Sequence, residues 1–149
     1  MPPVPPAPER ATSGVSREGS PPRLIVDVMN VVGSRPDGWW RDRRGAMARL
    51  VAALDAYARV TGTPVTAVLD GAPFAFDRAD GPVEVRFAGH GRPNAADDAI
   101  VDLLHERPER PATTVVTSDA GLAARVRTLG AAVAGAGAFR RELDERARG

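Results

Sequence analysis

The chain has 149 residues, 43% hydrophobic and 26% charged, and its 20 basic and 19 acidic residues leave a net charge of +1. This is the size of one globular domain, and it excludes a broad field drawing the protein to nucleic acid or membrane. There is no cysteine and every basic residue is arginine, which excludes disulfide scaffolds, thiolate zinc sites, cysteine nucleophiles, Gly-Lys phosphate loops, Schiff bases and lysine bases.

Residues 1–22 hold seven of the 14 prolines. Such a segment buries too little apolar surface to offset its ordering entropy, so it is expected to be a disordered leader. It lacks the apolar core of a signal peptide, and no run in the chain approaches the ~20 apolar residues of a membrane span. The expectation is a soluble, cytoplasmic protein with one domain over residues 23–149.

Residues 24–28, Leu-Ile-Val-Asp-Val, form a short β-branched apolar run of the kind buried on both faces of a sheet. Residues 43–60 place Met47, Leu50, Val51, Leu54, Tyr57 and Ala58 at helical spacing, with Arg49, Asp55 and Arg59 off that face. Thr61-Gly62-Thr63-Pro64 ends the helix. Residues 65–69 give a second strand closed by the turn pair Asp70-Gly71. Val83, Val85 and Phe87 alternate with Glu84 and Arg86, predicting a half-buried edge strand. A helix over 95–107 with Asn94 as N-cap, a strand over 113–117, a helix over 120–129 stopped by Gly130, a weak strand over 131–134 and a helix over 139–146 complete the series. Alternation with short links predicts an α/β fold, an open and mainly parallel sheet flanked by helices on both faces. Ligands of such sheets bind beyond the carboxyl ends of the strands.

Acids sit at those ends. Asp27 lies inside an apolar strand, where an ionised carboxylate costs several kcal/mol unless it is paired or holds a metal. Asn30 falls where the chain leaves the sheet. Asp70 closes the second strand, Asp97 and Asp98 occupy the first turn of a helix, and Asp119 follows Thr117-Ser118 after the fourth strand. Taken singly, Asp70 reads as a turn residue, and Asp97, Asp98 and Asp119 as helix-start acids favoured by the dipole. Together they map to one edge of the sheet, where carboxylates repel unless a cation is present. Hard ions such as Mg²⁺ or Mn²⁺ suit one or two carboxylates plus water and substrate phosphate, the arrangement of metal-dependent phosphodiester hydrolysis. On the helix, Asp97 shares the face of Val101 and Leu104, and Asp98 that of Asp102 and His105, so Asp97 is expected to face the crevice.

Four segments carry a resemblance: Val26-Asp27-Val28-Met29-Asn30-Val31-Val32-Gly33, Val68-Leu69-Asp70, Asn94-Ala95-Ala96-Asp97-Asp98-Ala99-Ile100 and Val116-Thr117-Ser118-Asp119. In this order they resemble the NYN domain, in particular its YacP-like bacterial branch, over about residues 23–143. The branch typically reads Asp-Gly-Tyr-Asn in the first motif, and Val28 and Met29 replace the middle pair here. The resemblance implies a PIN-like fold and a metal-dependent endoribonuclease of RNA processing or decay, leaving a 5′-phosphate and a 3′-hydroxyl. It implies Asp27, Asp97 and Asp119 as catalytic metal ligands for Mg²⁺ or Mn²⁺, with Asp98 and Asp70 as further members of the metal set. Asn30 and Ser118 would orient ligands or water, Asn30 counting among the catalytic residues. Some relatives are associated with the ribosome, which makes it a candidate partner besides RNA.

Trp39-Trp40-Arg41-Asp42-Arg43-Arg44 joins the first strand to its helix near the expected crevice. Arg41, Arg43 and Arg44 are candidate phosphate contacts, and an exposed Trp could stack on a base. The competing reading is a Trp pair plugging the core and arginines solvating a helix start. His90, in a glycine-flanked loop, and His105, late in a helix, carry no assigned chemistry. The alternative function is a non-catalytic RNA- or ribosome-binding module of the same fold, for which a missing acid would be the mark, and none is missing. A phospho-receiver domain would need a lysine near its acids, and a toxin of a toxin–antitoxin pair would be tested by genome neighbourhood.

Overall fold

In the computed structural model the described residues are 22–76, 78, 81–89, 94–107 and 110–148. The elements run β1 (Arg23–Asp27), α1 (Val28–Val32), α2 (Arg43–Thr61), β2 (Val65–Leu69), β3 (Glu84–Phe87), α3 (Ala95–His105), β4 (Thr113–Val116), α4 (Ala120–Thr128), β5 (Ala132–Ala134) and α5 (Ala136–Arg148). The five strands form one sheet in the order β3-β2-β1-β4-β5, and every neighbouring pair is parallel. β3 lies at an edge with its side chains alternately exposed and half-buried, as its polar alternation predicts.

β1 is the central strand because both faces of its run are apolar. Leu24 and Val26 join a core with α1, α2 and α5, and Ile25 joins the opposite core with α3 and α4. Each such side chain contributes ~1.5–3 kcal/mol on full burial. That is enough for the strand to carry one acid, Asp27, inside with it at 5% exposure.

Three expectations shift. Val28 does not extend the strand: it opens α1, where Val28, Val31 and Val32 are buried at helical spacing. A short apolar run does not distinguish strand from helix by itself, and here the periodicity changes at Asp27. Asn30 therefore stands inside a helical turn. Asp55 is not on the solvent face of α2 but 4% exposed, held by Arg78 at 2.7 Å and by the Val83 N–H at 3.1 Å. The closing helix begins at Ala136, three residues before its first large apolar side chain, Phe139. The leader expected over 1–22 lies outside the described residues except for Pro22, as does His90.

Candidate active site

β1 and β4 are adjacent, so the chain leaves the sheet in opposite directions from their carboxyl ends, the point where doubly wound sheets open a crevice. A cavity of about 680 Å³ lies there, with Asp27, Asn30, Asp70, Asp97 and Asp119 in its wall. Each acid arrives from a different element: the end of β1, the residue after β2, the first turn of α3 and the N-cap of α4. Asn30 comes from α1.

The register explains the partner of Asp27. Val26 pairs with Val116, which sets Thr117 beside Asp27, and the Thr117 hydroxyl donates to the carboxylate at 3.0 Å. The same hydroxyl oxygen accepts the Asp119 N–H at 3.1 Å. Sequence alone gives Thr117 no role; only the pairing of β1 with β4 brings it to the acid. Burial pushes Asp27 up from the ordinary aspartate value, 3.8, to about 6. The Thr117 bond opposes this, and the charges of Asp70, Asp97 and Asp119 add to it.

Asp97 is also raised, first by burial and then by Asp119, with Arg125 opposing. Burial raises Asp70 while Arg43 lowers it. Asp27 and Asp97 therefore feel the other acids across the cavity. Asp98 points elsewhere: its carboxylate pairs with Arg125 at 3.2 Å, and it is not in the cavity wall. One oxygen of Asp119 caps α4 by accepting the Leu122 N–H at 2.9 Å, so its helix-start role and its place in the wall coexist.

Asn30 and Ser118 are coupled. The Asn30 side-chain oxygen accepts the Ser118 N–H at 2.6 Å, and the Ser118 hydroxyl accepts the Ala136 N–H at 2.9 Å. Ser118 thus ties the start of α5 to α1 and is not itself in the cavity wall. Asn94, expected to cap α3 with its side chain, instead adopts a left-handed backbone (φ 61°) and makes no side-chain cap bond. The far wall is closed by an antiparallel bridge between Gly71 and Gly89, both at positive φ (90° and 83°) that larger residues rarely adopt.

The arginines divide. Arg43 lines the cavity and lies over the Trp39 ring at 5.3 Å, whereas Arg41 lies over Trp40 at 5.8 Å and Arg44 over Phe74 at 4.9 Å. Trp39 is half-buried in the cavity wall, while Trp40 is 51% exposed, so the pair does not plug the core as a unit.

Among the described residues, no three His, Asp or Glu side chains form a ready-made ion cage. The donors nevertheless fit a hard divalent ion. They are oxygens, they repel one another, and Mg²⁺ commonly takes only one or two carboxylates, filling its shell with water and substrate phosphate.

The comparisons with known proteins agree on family and fold. The family model for the YacP-like NYN domain matches residues 24–149. Crystal structures of Rae1 (YacP) from Bacillus subtilis and of a tryptophan-to-leucine mutant of it are similar in fold, each with 24% identity and a TM-score of 0.70. The match covers 85% of this chain and 75–77% of theirs. A search of curated proteins returns no match.

Proposed function

The chain belongs to the YacP-like NYN domain family, whose domains are nuclease-like and RNA-related, and on that premise we propose that it is a metal-dependent endoribonuclease of RNA processing or decay. One observation carries the reading: Asp27, Asp70, Asp97 and Asp119 converge on one cavity from four elements, and three of them are raised from the ordinary aspartate value. So many acids gathered without a cation is a costly arrangement that catalysis with metal explains.

In this reading Asp27, Asp97 and Asp119 hold Mg²⁺ or Mn²⁺, with Asp70 as a further ligand, and Asp98 acts at longer range through its pair with Arg125. The ion, when bound, polarises the scissile phosphate and lowers the pKa of the attacking water. Thr117 orients the Asp27 carboxylate, and Asn30 fixes the backbone just before Asp119 against α1. Arg43, which lowers Asp70 and lines the cavity, is the cation best set to meet a phosphate there; Arg41 and Arg44 serve the strand farther out. With a net charge of only +1, such local arginines decide whether RNA is attracted at all.

The test is incubation of purified protein with single-stranded and structured RNAs in Mn²⁺, Mg²⁺ or chelator. The expected result is metal-dependent internal cleavage leaving 5′-phosphates, lost in Asp97→Asn. RNA bound but intact in every metal would favour the non-catalytic module. Presenting the same RNA free and on ribosomes tests the ribosome as the place of action.

A further inference from the structure

The rim beside the cavity carries a second feature that phosphate chemistry leaves unexplained. Among the described residues the large hydrophobic side chains left exposed are Trp40 and Val60, at 51% and 75%. Val60 sits near the end of α2, and neither it nor its neighbours Arg59 and Thr61 line the cavity. Trp40 is next to a cavity residue: its ring meets Trp39 edge to face, centroids 5.8 Å apart and planes at 84°.

Trp40 is also held rather than dangling. It is the middle residue of a single 3₁₀ turn, Trp39–Arg41, entered through Gly38 at φ 89°. The turn is closed by the Arg41 N–H to Gly38 carbonyl bond at 3.0 Å and the Asp42 N–H to Trp39 carbonyl bond at 3.1 Å. The Asp42 carboxylate then caps α2 by accepting the Gly45 N–H at 3.0 Å. A rigid indole offers area at little entropic cost, and Arg41, which lies over the ring at 5.8 Å, offers a cation to the adjoining phosphate.

We propose that Trp40 is a nucleobase-stacking subsite, where a base of an unpaired strand leaving the cavity past Trp39 stacks on the indole. This rests on the reading of the cavity as an RNA site and narrows its substrate to single-stranded RNA. Bases inside a duplex are stacked on their neighbours and offer no face to the ring; an unpaired base does.

The experiment measures binding of a short oligoadenylate, alone and as a duplex with oligouridylate, in chelator, by wild type, Trp40→Ala and Trp40→Phe. Wild type is expected to prefer the unpaired strand and show quenching of tryptophan fluorescence. Trp40→Ala should bind it roughly 5- to 100-fold more weakly, with duplex binding unchanged, while Trp40→Phe keeps most of the affinity. Unchanged binding of the unpaired strand by Trp40→Ala would overturn the subsite, as would equal losses for strand and duplex with the melting temperature preserved. Should Trp40→Ala fold poorly, Trp40→Phe decides alone: loss of the preference for the unpaired strand in a stable variant with an intact ring counts against stacking. A separate cleavage assay of wild type in Mn²⁺ tests the nuclease reading, so stacking without cleavage condemns only the catalysis and cleavage without stacking only the subsite.

Discussion

Asp97 and Asp98 are chemically identical neighbours that the helix turns in different directions, one into the cavity wall and the other onto Arg125. Asp97→Asn is therefore expected to abolish RNA cleavage, and Asp98→Asn to leave measurable activity with a similar melting temperature. A first-turn acid contributes only ~0.3–1 kcal/mol through the dipole, too little for unfolding to imitate the first result. Full activity in Asp97→Asn would remove the mechanism. Asp27 gives a pH prediction of definite sign. Its pKa is about 6 in the fold and near 3.8 in the unfolded chain, so the fold binds the proton more tightly. Its contribution to stability is greatest at the acid end, declines as pH rises through that window, and levels off above about 6. The shift corresponds to at most ~3 kcal/mol. In chelator, Asp27→Asn should be more stable than wild type at pH 7, with the gap closing toward pH 4, as read from urea midpoints. Mn²⁺ should raise the melting temperature of wild type and largely fail to do so in Asp27→Asn; equal shifts would take Asp27 off the ligand set.

The elements explain why these residues stay where they are. The segment between β2 and β3 carries Asp70 at its start and ends in Val83, and it is pinned from below by Asp55 on α2. Arg78 grips that carboxylate with three bonds from two nitrogens at 2.7–3.1 Å, and the Val83 N–H adds a fourth. A side chain at Gly81 would begin 2.2 Å from the Asp55 carboxyl carbon, so only glycine leaves the clamp room. Removing one partner of a buried pair typically costs ~3–5 kcal/mol. Because Arg78 keeps 23% of its side chain exposed, we expect about 3 kcal/mol for Asp55→Ala, with a comparable loss for Gly81→Ala. Chemical denaturation reads both, and a loss under 1 kcal/mol would reduce the clamp to a surface ion pair. Phe74, in the same segment, packs on Phe87 of β3 and under Arg44 of α2, so the clamp also steadies the arginine rim.

At the scale of the whole molecule, the two cores on either side of the sheet run, among the described residues, from Leu24 to Leu143, and the family match starts at residue 24. We propose that the proline-rich residues 1–22 add nothing to either core. Deleting residues 1–20 should leave the melting temperature and RNA cleavage unchanged; aggregation of the shortened protein would move the domain boundary upstream.

The sequence by itself determined the order of strands and helices apart from α1, the edge character of the third strand and the gathering of acids beyond the strand ends. These follow from local periodicity and from the rule that parallel sheets open at their carboxyl ends. The faces of Asp97 and Asp98 were legible too, because a helix turns neighbours by a set angle. The tertiary structure alone decided the rest. Thr117 meets Asp27 because β1 and β4 pair in one particular register, and Asp55 is buried because a segment more than twenty residues away folds over it. Val28 leaves the strand because its neighbours Val31 and Val32 find a core to fill. Each of these depends on which distant surface arrives to cover the residue, and local pattern carries no record of that.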